Sequence, residues 1–245
     1  MMFLNMAPLN ARMRQGQAAY YNDVLQFAPI AYWPFWEASG TTADDMSATG
    51  ADGTYSNVTL GAAGIGDGKT AAQFVAASAS YVDVDAAAFR NAFGHKEGSV
   101  SFWARVSGSG VWTDGATRYI LHIEASSSHY LSIYKMTGAN TLLIRYRANS
   151  TNADKSLTIS TTAWFHIVVT WSDSGDTMRV YLNGTEQTPA IGSLGTWPDA
   201  TPPIDGRCTI GAYYTPNQHW SGDLAHVAFY NKVLTEGEAT ALFLA

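Results

Sequence analysis

His122 and Glu124 alternate along one strand-like run, and His129 follows after a short turn. A hairpin would bring these two imidazoles and one carboxylate near each other. Such a set can hold zinc, which takes nitrogen and oxygen ligands in tetrahedral sites. Partly exposed polar residues of any hairpin show the same spacing, and that plainer reading is preferred. Catalytic cleavage of a glycosidic bond with retention needs two carboxyls about 5–5.5 Å apart. Glu124, Asp223 and Asp83 are the acids embedded in strong strand patterns, and no run of alternating acids accompanies them. A lyase would need tyrosine, histidine and arginine converging on one sheet face, and no motif points to that. Serine nucleophile elbows, phosphate-cradling glycine loops and Cys-x-x-Cys pairs are absent. The expectation is a protein that is not an enzyme.

Aromatic residues in irregular stretches carry more. Trp112, Trp197, Tyr213, Tyr214, His219 and Trp220 fall at strand ends or in loops. Flat rings stack on sugar faces, while neighbouring Asn and Asp groups bond the hydroxyls. Trp112, Trp197 and Tyr214 are therefore the candidate glycan-binding residues. Cys208, the sole cysteine, lies in the strand pattern Arg207-Cys208-Thr209-Ile210 and reads as a small buried hydrophobe.

The elements that would position these groups are mostly strands. Residues 11–27 read as a helix, with Met13, Tyr20, Val24 and Phe27 on one face, weakened by Gly16 and stopped before Pro29. Short strands follow over 30–36, 54–60, 71–75, 81–84, 99–106, 118–124, 130–135, 141–148, 164–171, 177–183, 207–213 and 223–230. Alternation is clean in Val100/Phe102/Ala104/Val106 and in Phe165/Ile167/Val169/Trp171. Met178/Val180/Leu182 form a third stripe and end at the hairpin signal Asn183-Gly184. Phe102, Val169, Val180, Leu182, Ile210 and Phe229 are the expected core. Residues 185–203, with Pro189, Pro198, Pro202 and Pro203, read as a long loop inside one domain. Thr235 and Glu238 stand at capping-box spacing before a short final helix. The spacing between strands leaves no room for parallel crossovers, so the fold class is all-β, an antiparallel two-sheet sandwich.

Composition agrees. Of 245 residues, 47% are hydrophobic and 14% charged, and the net charge is −6. The charged fraction lies below the roughly 25% usual in soluble domains, so Ser and Thr carry much of the polarity. Nothing resembles a basic stripe, which argues against nucleic acid and against anionic lipid as partners. No apolar run of about 18 residues is present, so no membrane insertion is expected. The apolar N-terminal stretch lacks a basic leader and reads as an uncleaved arm rather than a signal peptide. The expected organisation is an arm and helix over 1–28 and a sandwich over 29–245.

Four segments together resemble the laminin-G-like branch of the concanavalin A-like jelly rolls. They are Ala31-Tyr32-Trp33-Pro34 with residues 40–55, Ser99 to Arg105, Trp164–Trp171 with Arg179–Gly184, and Ile210-Gly211 with Gly222–Thr235. They stand in the family's order, and the third is the most specific. The resemblance implies the jelly roll but not the ligand, because this fold hosts binding, adhesive, structural and catalytic members. Sandwich glucanases supply their acids as Glu-x-Asp-x-x-Glu on one strand, and this chain has no such run. Trp220, matching a family aromatic before Ser-Gly, reads as core, and His166 as structural. Some members hold a structural calcium. Asp45 is the matching carboxylate here and Asp223 a second candidate, although Ala225-His226 stand where the family often has Asp-Glu. No cofactor is required on this reading.

The opening segment, preceded by Tyr20-Tyr21-Asn22-Asp23-Val24-Leu25, resembles versions carried by tailed-phage structural proteins. The implied function is a virion structural protein, a surface decoration, fibre or tail-associated module, made in the host cytoplasm. Its partners would be other assembly subunits, held through residues 1–27, and a host surface glycan. The alternative is a secreted or cell-surface carbohydrate-binding adhesin.

Overall fold

The computed structural model describes residues 19–198, 203, 207–215 and 217–245. Its helices are α1 (Ala19–Leu25), α2 (Ala87–Ala92) and α3 (Glu236–Leu244). The strands of the first half are β1 (Ala31–Trp33), β2 (Thr42–Ala43), β3 (Gly53–Ser56), β4 (Thr59–Ala63), β5 (Thr70–Phe74), β6 (Tyr81–Asp83), β7 (Glu97–Val106) and β8 (Arg118–Ser126). Those of the second half are β9 (His129–Lys135), β10 (Thr141–Ala148), β11 (Thr151–Thr158), β12 (Phe165–Ser172), β13 (Thr177–Leu182), β14 (Thr185–Glu186), β15 (Cys208–Ile210) and β16 (Gly222–Tyr230).

They form two eight-stranded sheets. One runs β14-β13-β12-β7-β16-β5-β4, with β1 on the second half of β16; the other runs β11-β10-β9-β8-β15-β6-β3-β2. The alternation read from the sequence becomes the core between them. Phe102, Val169, Val180, Ile210 and Phe229 are all buried there, while Leu182 is partly buried at its edge. The run 54–60 is two strands in different sheets, because Asn57 turns the chain at φ 53°. Asn tolerates that left-handed conformation better than most residues. β11 and α2 had no clear signature: Thr151–Thr158 buries only Ala153 and Leu157, as suits an edge strand.

The two outer faces differ, and that difference places the site. The outer face of the first sheet is covered by α1 and α3. Tyr20 and Val24 of α1, and Ala239 and Leu242 of α3, join Tyr32, Trp103, Val168, Tyr181, Ala228 and Tyr230 in a second apolar cluster. Burying a side chain of this size contributes about 1.5–3 kcal/mol, so two from so short a helix suffice to dock it. The expected capping box is formed, with Thr235 Oγ1 accepting from the Glu238 backbone N–H and Glu238 accepting from the Thr235 backbone N–H. The described end of the N-terminal arm thus packs on its own sandwich. Residues 1–18 of the expected arm lie outside the described residues. The outer face of the second sheet is not covered by a described helix, and it is called the open sheet below.

Candidate functional site

Strand register lays the open face out in rows. Glu124 stands opposite Tyr130, and Tyr130 opposite Arg147. The adjacent row reads Asp83, Thr209, His122, Ser132, Arg145, Asp154 across six strands. Tyr119 and Tyr134 form the next pair. These residues share a face because side chains alternate along each strand, leaving Leu121, Ile123, Leu131, Ile133 and Ile144 on the core side. Tyr213 and Tyr214 close the face from the turn after β15. That turn leaves through Gly211 at φ 85°, where an added Cβ would stand 2.3 Å from the Phe74 ring. Only glycine fits, so Gly211 sets the direction of the tyrosine turn.

At the centre is a hydrogen-bonded chain. His122 Nδ1 lies 2.6 Å from Ser132 Oγ, and its Nε2 lies 2.8 Å from Glu124 Oε2. Arg207 donates to the other Glu124 oxygen. His122, Ser132 and Glu124 are all buried. Burial pushes the His122 pKa down despite the neighbouring carboxylate. Burial alone would raise Glu124, but hydrogen bonding from His122 and the Arg207 charge outweigh it and hold the carboxyl below its usual range. Neutral His122 therefore donates from Nε2 to ionised Glu124 and accepts the Ser132 hydroxyl at Nδ1. The order Ser-His-Glu is that of a nucleophile relay, yet Ser132 is sealed inside the sheet, on a regular strand rather than a sharp turn.

Rings surround this chain. Tyr213 and Tyr214 approach His122 at 4.6 and 5.5 Å between centroids, and the latter is stacked. The Arg207 guanidinium lies 4.5 Å over the Tyr214 ring. Tyr119 stacks on Tyr134 at 4.7 Å, and Arg147 lies 5.7 Å from the Tyr130 ring. Arg145 makes a two-pronged pair with Asp154, with both contacts at 2.7 Å. All five tyrosines are half-buried, so each is held by neighbours and still meets solvent.

Of the residues expected from sequence, Tyr214 stands in this site. Trp112 and Trp197 do not: they are 1% and 0% exposed and plug opposite ends of the core. Trp112 donates to the Thr161 carbonyl and packs near Phe165 and Trp220. Trp197 lies among Phe93, His95, His129 and Tyr146. Loops that close a sandwich need large apolar plugs, and a tryptophan in irregular sequence is as much at home there as on a surface. His129 shares parity with Leu131 and Ile133, faces away from His122 and meets Ser126, so the zinc set does not assemble. Among the described residues no group of three or more His, Cys, Asp and Glu is arranged to hold a metal.

The calcium candidates do not fit that ion. Asp45 Oδ1 accepts from the Tyr32 and Ser47 backbone N–H groups, and Oδ2 from the Ser47 hydroxyl and the Ala51 N–H. With both oxygens so engaged, the carboxylate organises its own loop. Asp223 pairs at 2.6 Å with Arg105, its cross-strand neighbour in the first sheet, and shares no partner with Asp45. Cys208 is buried as expected. No described helix is long and apolar enough to cross a membrane.

Residues 76–240 match the family described as the concanavalin A-like lectin/glucanases superfamily, about two thirds of the chain. The chain belongs to that superfamily. No curated protein sequence matches it. Among solved structures it is similar to domain 4 of AbnA, an extracellular GH43 arabinanase from Geobacillus stearothermophilus, in complex with arabinotriose. That pair has a TM-score of 0.63 at 16% identity, over 87% of this chain and 97% of the other. It is also similar to the receptor binding domain of botulinum neurotoxin mosaic serotype C/D, with TM-score 0.67, 14% identity, and 91% and 51% coverage. The binding domain of botulinum neurotoxin DC in complex with rat synaptotagmin II gives 0.60, 16%, and 89% and 51%. The chain spans about half the length of these toxin domains. At such identities the likeness shows the fold alone: a lectin-like jelly roll.

Proposed function

We propose that this chain is a non-enzymatic glycan-binding module whose sugar site is the tyrosine-rich outer face of the open sheet. The observation that carries this reading is the platform of Tyr119, Tyr130, Tyr134, Tyr213 and Tyr214 around the buried His122–Glu124–Arg207 chain. Half-exposed aromatic rings offer apolar faces to sugars, and ordered polar groups between them fix the hydroxyls. The arginine–carboxylate pairs and the Ser132–His122 bond lock the platform before any ligand arrives, which lowers the ordering cost of binding. Hydrolysis on the tyrosine platform is disfavoured because its two carboxylates, Glu124 and Asp154, are each engaged by arginine and neither is free to act on a bond there. The arabinotriose complex of domain 4 of the arabinanase supports the same ligand class. Glycan-array screening tests it: hits that vanish in Tyr214→Ala support the site, and hits unaffected by it overturn the site.

For biological setting, we propose a virion structural protein of a tailed phage, supported by the opening segment around Tyr32-Trp33 and the preceding Tyr20-Tyr21 helix. Mass spectrometry of purified particles tests this; recovery from the host cell surface instead would favour the adhesin.

A further inference from the structure

We infer that the saccharide held on the open sheet is anionic, with a carboxylate or sulfate group seated on Arg147 and its chain running across the sheet away from β10. This rests on the glycan-binding reading above and names the ligand class of that site.

The charge pattern of the face leads there. Arg145 is balanced by Asp154, and Arg207 by Glu124. His122, desolvated by its burial, adds no positive charge. Arg147 remains. Among the described residues it has no carboxylate partner; its guanidinium lies beside the Tyr130 ring, and its buried Nε atom has no hydrogen-bond partner. A guanidinium presents donors in a planar fork that matches the two oxygens of a carboxylate or sulfate. Leaving such a donor buried and unmatched is costly, so a ligand that supplies an anion gains more here than a neutral one. Exposed Asn152 stands opposite Arg147 on β11 and adds an amide beside the same spot.

The opposite end of the face carries the reverse charge. Asp52, Asp83 and Asp85, with Thr54 and Ala86, line a polar cavity of about 270 Å³; Arg90 balances Asp85 at 2.9 Å, so Asp52 and Asp83 set the charge there. Four strand steps separate β10 from β6, roughly 19 Å at about 4.8 Å per strand. Acid groups are therefore attracted at Arg147 and repelled near Asp83, which orients an extended chain with its anionic unit on the β10 side and neutral units on the β6 side. The tyrosines lie between.

The test is titration of the full chain, by calorimetry, with three probes: a neutral galacto-oligosaccharide, an oligogalacturonate and a heparin-derived oligosaccharide. These are read alongside an array of neutral, carboxylated and sulfated glycans. The parent should prefer acidic probes, and that preference should weaken as salt rises. Arg147→Gln should lower acidic binding about ten- to a hundredfold, with little change for neutral sugars. Arg147→Lys, which keeps the charge and the fold but not the fork, should recover part of the loss. Preference for the uronate over the heparin probe identifies carboxylate as the anchor, and the reverse identifies sulfate. If neutral glycans bind as well as acidic ones, or Arg147→Gln changes nothing while Tyr214→Ala abolishes binding, the anionic inference is wrong and the site stands. If Tyr214→Ala and Tyr130→Ala leave all binding intact, or no glycan binds, the site reading itself fails.

Discussion

Arg207 joins two roles at one point: its guanidinium pairs with buried Glu124 and lies 4.5 Å over the half-exposed Tyr214 ring. A charge fixed by the interior thereby fixes the posture of an aromatic surface. Breaking the pair should disturb the ring. Glu124→Gln is expected to release Arg207 from Tyr214 and to weaken glycan binding several-fold while the sandwich stays folded. Near-ultraviolet circular dichroism and glycan titration of the variant check both effects.

The two core tryptophans should behave in the opposite way. Trp112→Ala and Trp197→Ala each remove a fully buried indole, and each should cost about 3–5 kcal/mol of stability. Urea denaturation measures this. Glycan affinity of whatever fraction stays folded should match the parent; loss of affinity without loss of stability would return these residues to the site.

Asp45 is expected to act through its four hydrogen bonds rather than through an ion. Asp45→Ala should destabilise the chain by about 2–4 kcal/mol, since four part-buried donors lose a charged acceptor. Thermal melts with calcium and with chelator should superimpose for the parent. A midpoint that rises with calcium would contradict the assignment.

Acid should loosen the helix-covered sheet. His166 lies between Trp103 and Phe243 with neither ring nitrogen hydrogen-bonded, and burial pushes its pKa down to about 3, with nearby His226 adding to the effect. The unfolded chain binds this proton near pH 6.5, so stability is complete above that value and falls as pH drops from there toward 3. The loss between pH 7 and 5 from this residue is about 2 kcal/mol. His166→Phe should hold its stability better over that interval in urea titrations. The gain is partial because burial also lowers the His226 pKa, and that residue still titrates in the same direction. An unchanged pH slope would show that His166 is not the titrating group.

How much of this was legible in the sequence follows from where each signal lives. The alternation of β7, β12 and β13 is local, so the sandwich and most of its core could be read directly. β11 is an edge strand with two buried residues, and its pattern has nothing to alternate. The site was harder for a different reason. His122 and Glu124 were visible as a pair on one face, but their partners arrive from Ser132 on β9 and from Arg207 just before β15, and no sequence spacing records that Arg207 meets Glu124 across a ladder. Trp112 and Trp197 misled because loops that cap a core and loops that bind sugars have the same composition. The turn holding Tyr214 depends on Gly211, whose meaning appears only beside Phe74.

The most direct measurement is an amide chemical-shift map of the isotope-labelled chain titrated with a glycan that the array identifies. Shifts should cluster on the open sheet, at His122 and Glu124 of β8, Tyr130 and Ser132 of β9, Arg145 and Arg147 of β10, and the Tyr213–Tyr214 turn. Shifts confined to the first sheet beneath α1 and α3, or to the loops holding Trp112 and Trp197, would contradict this site.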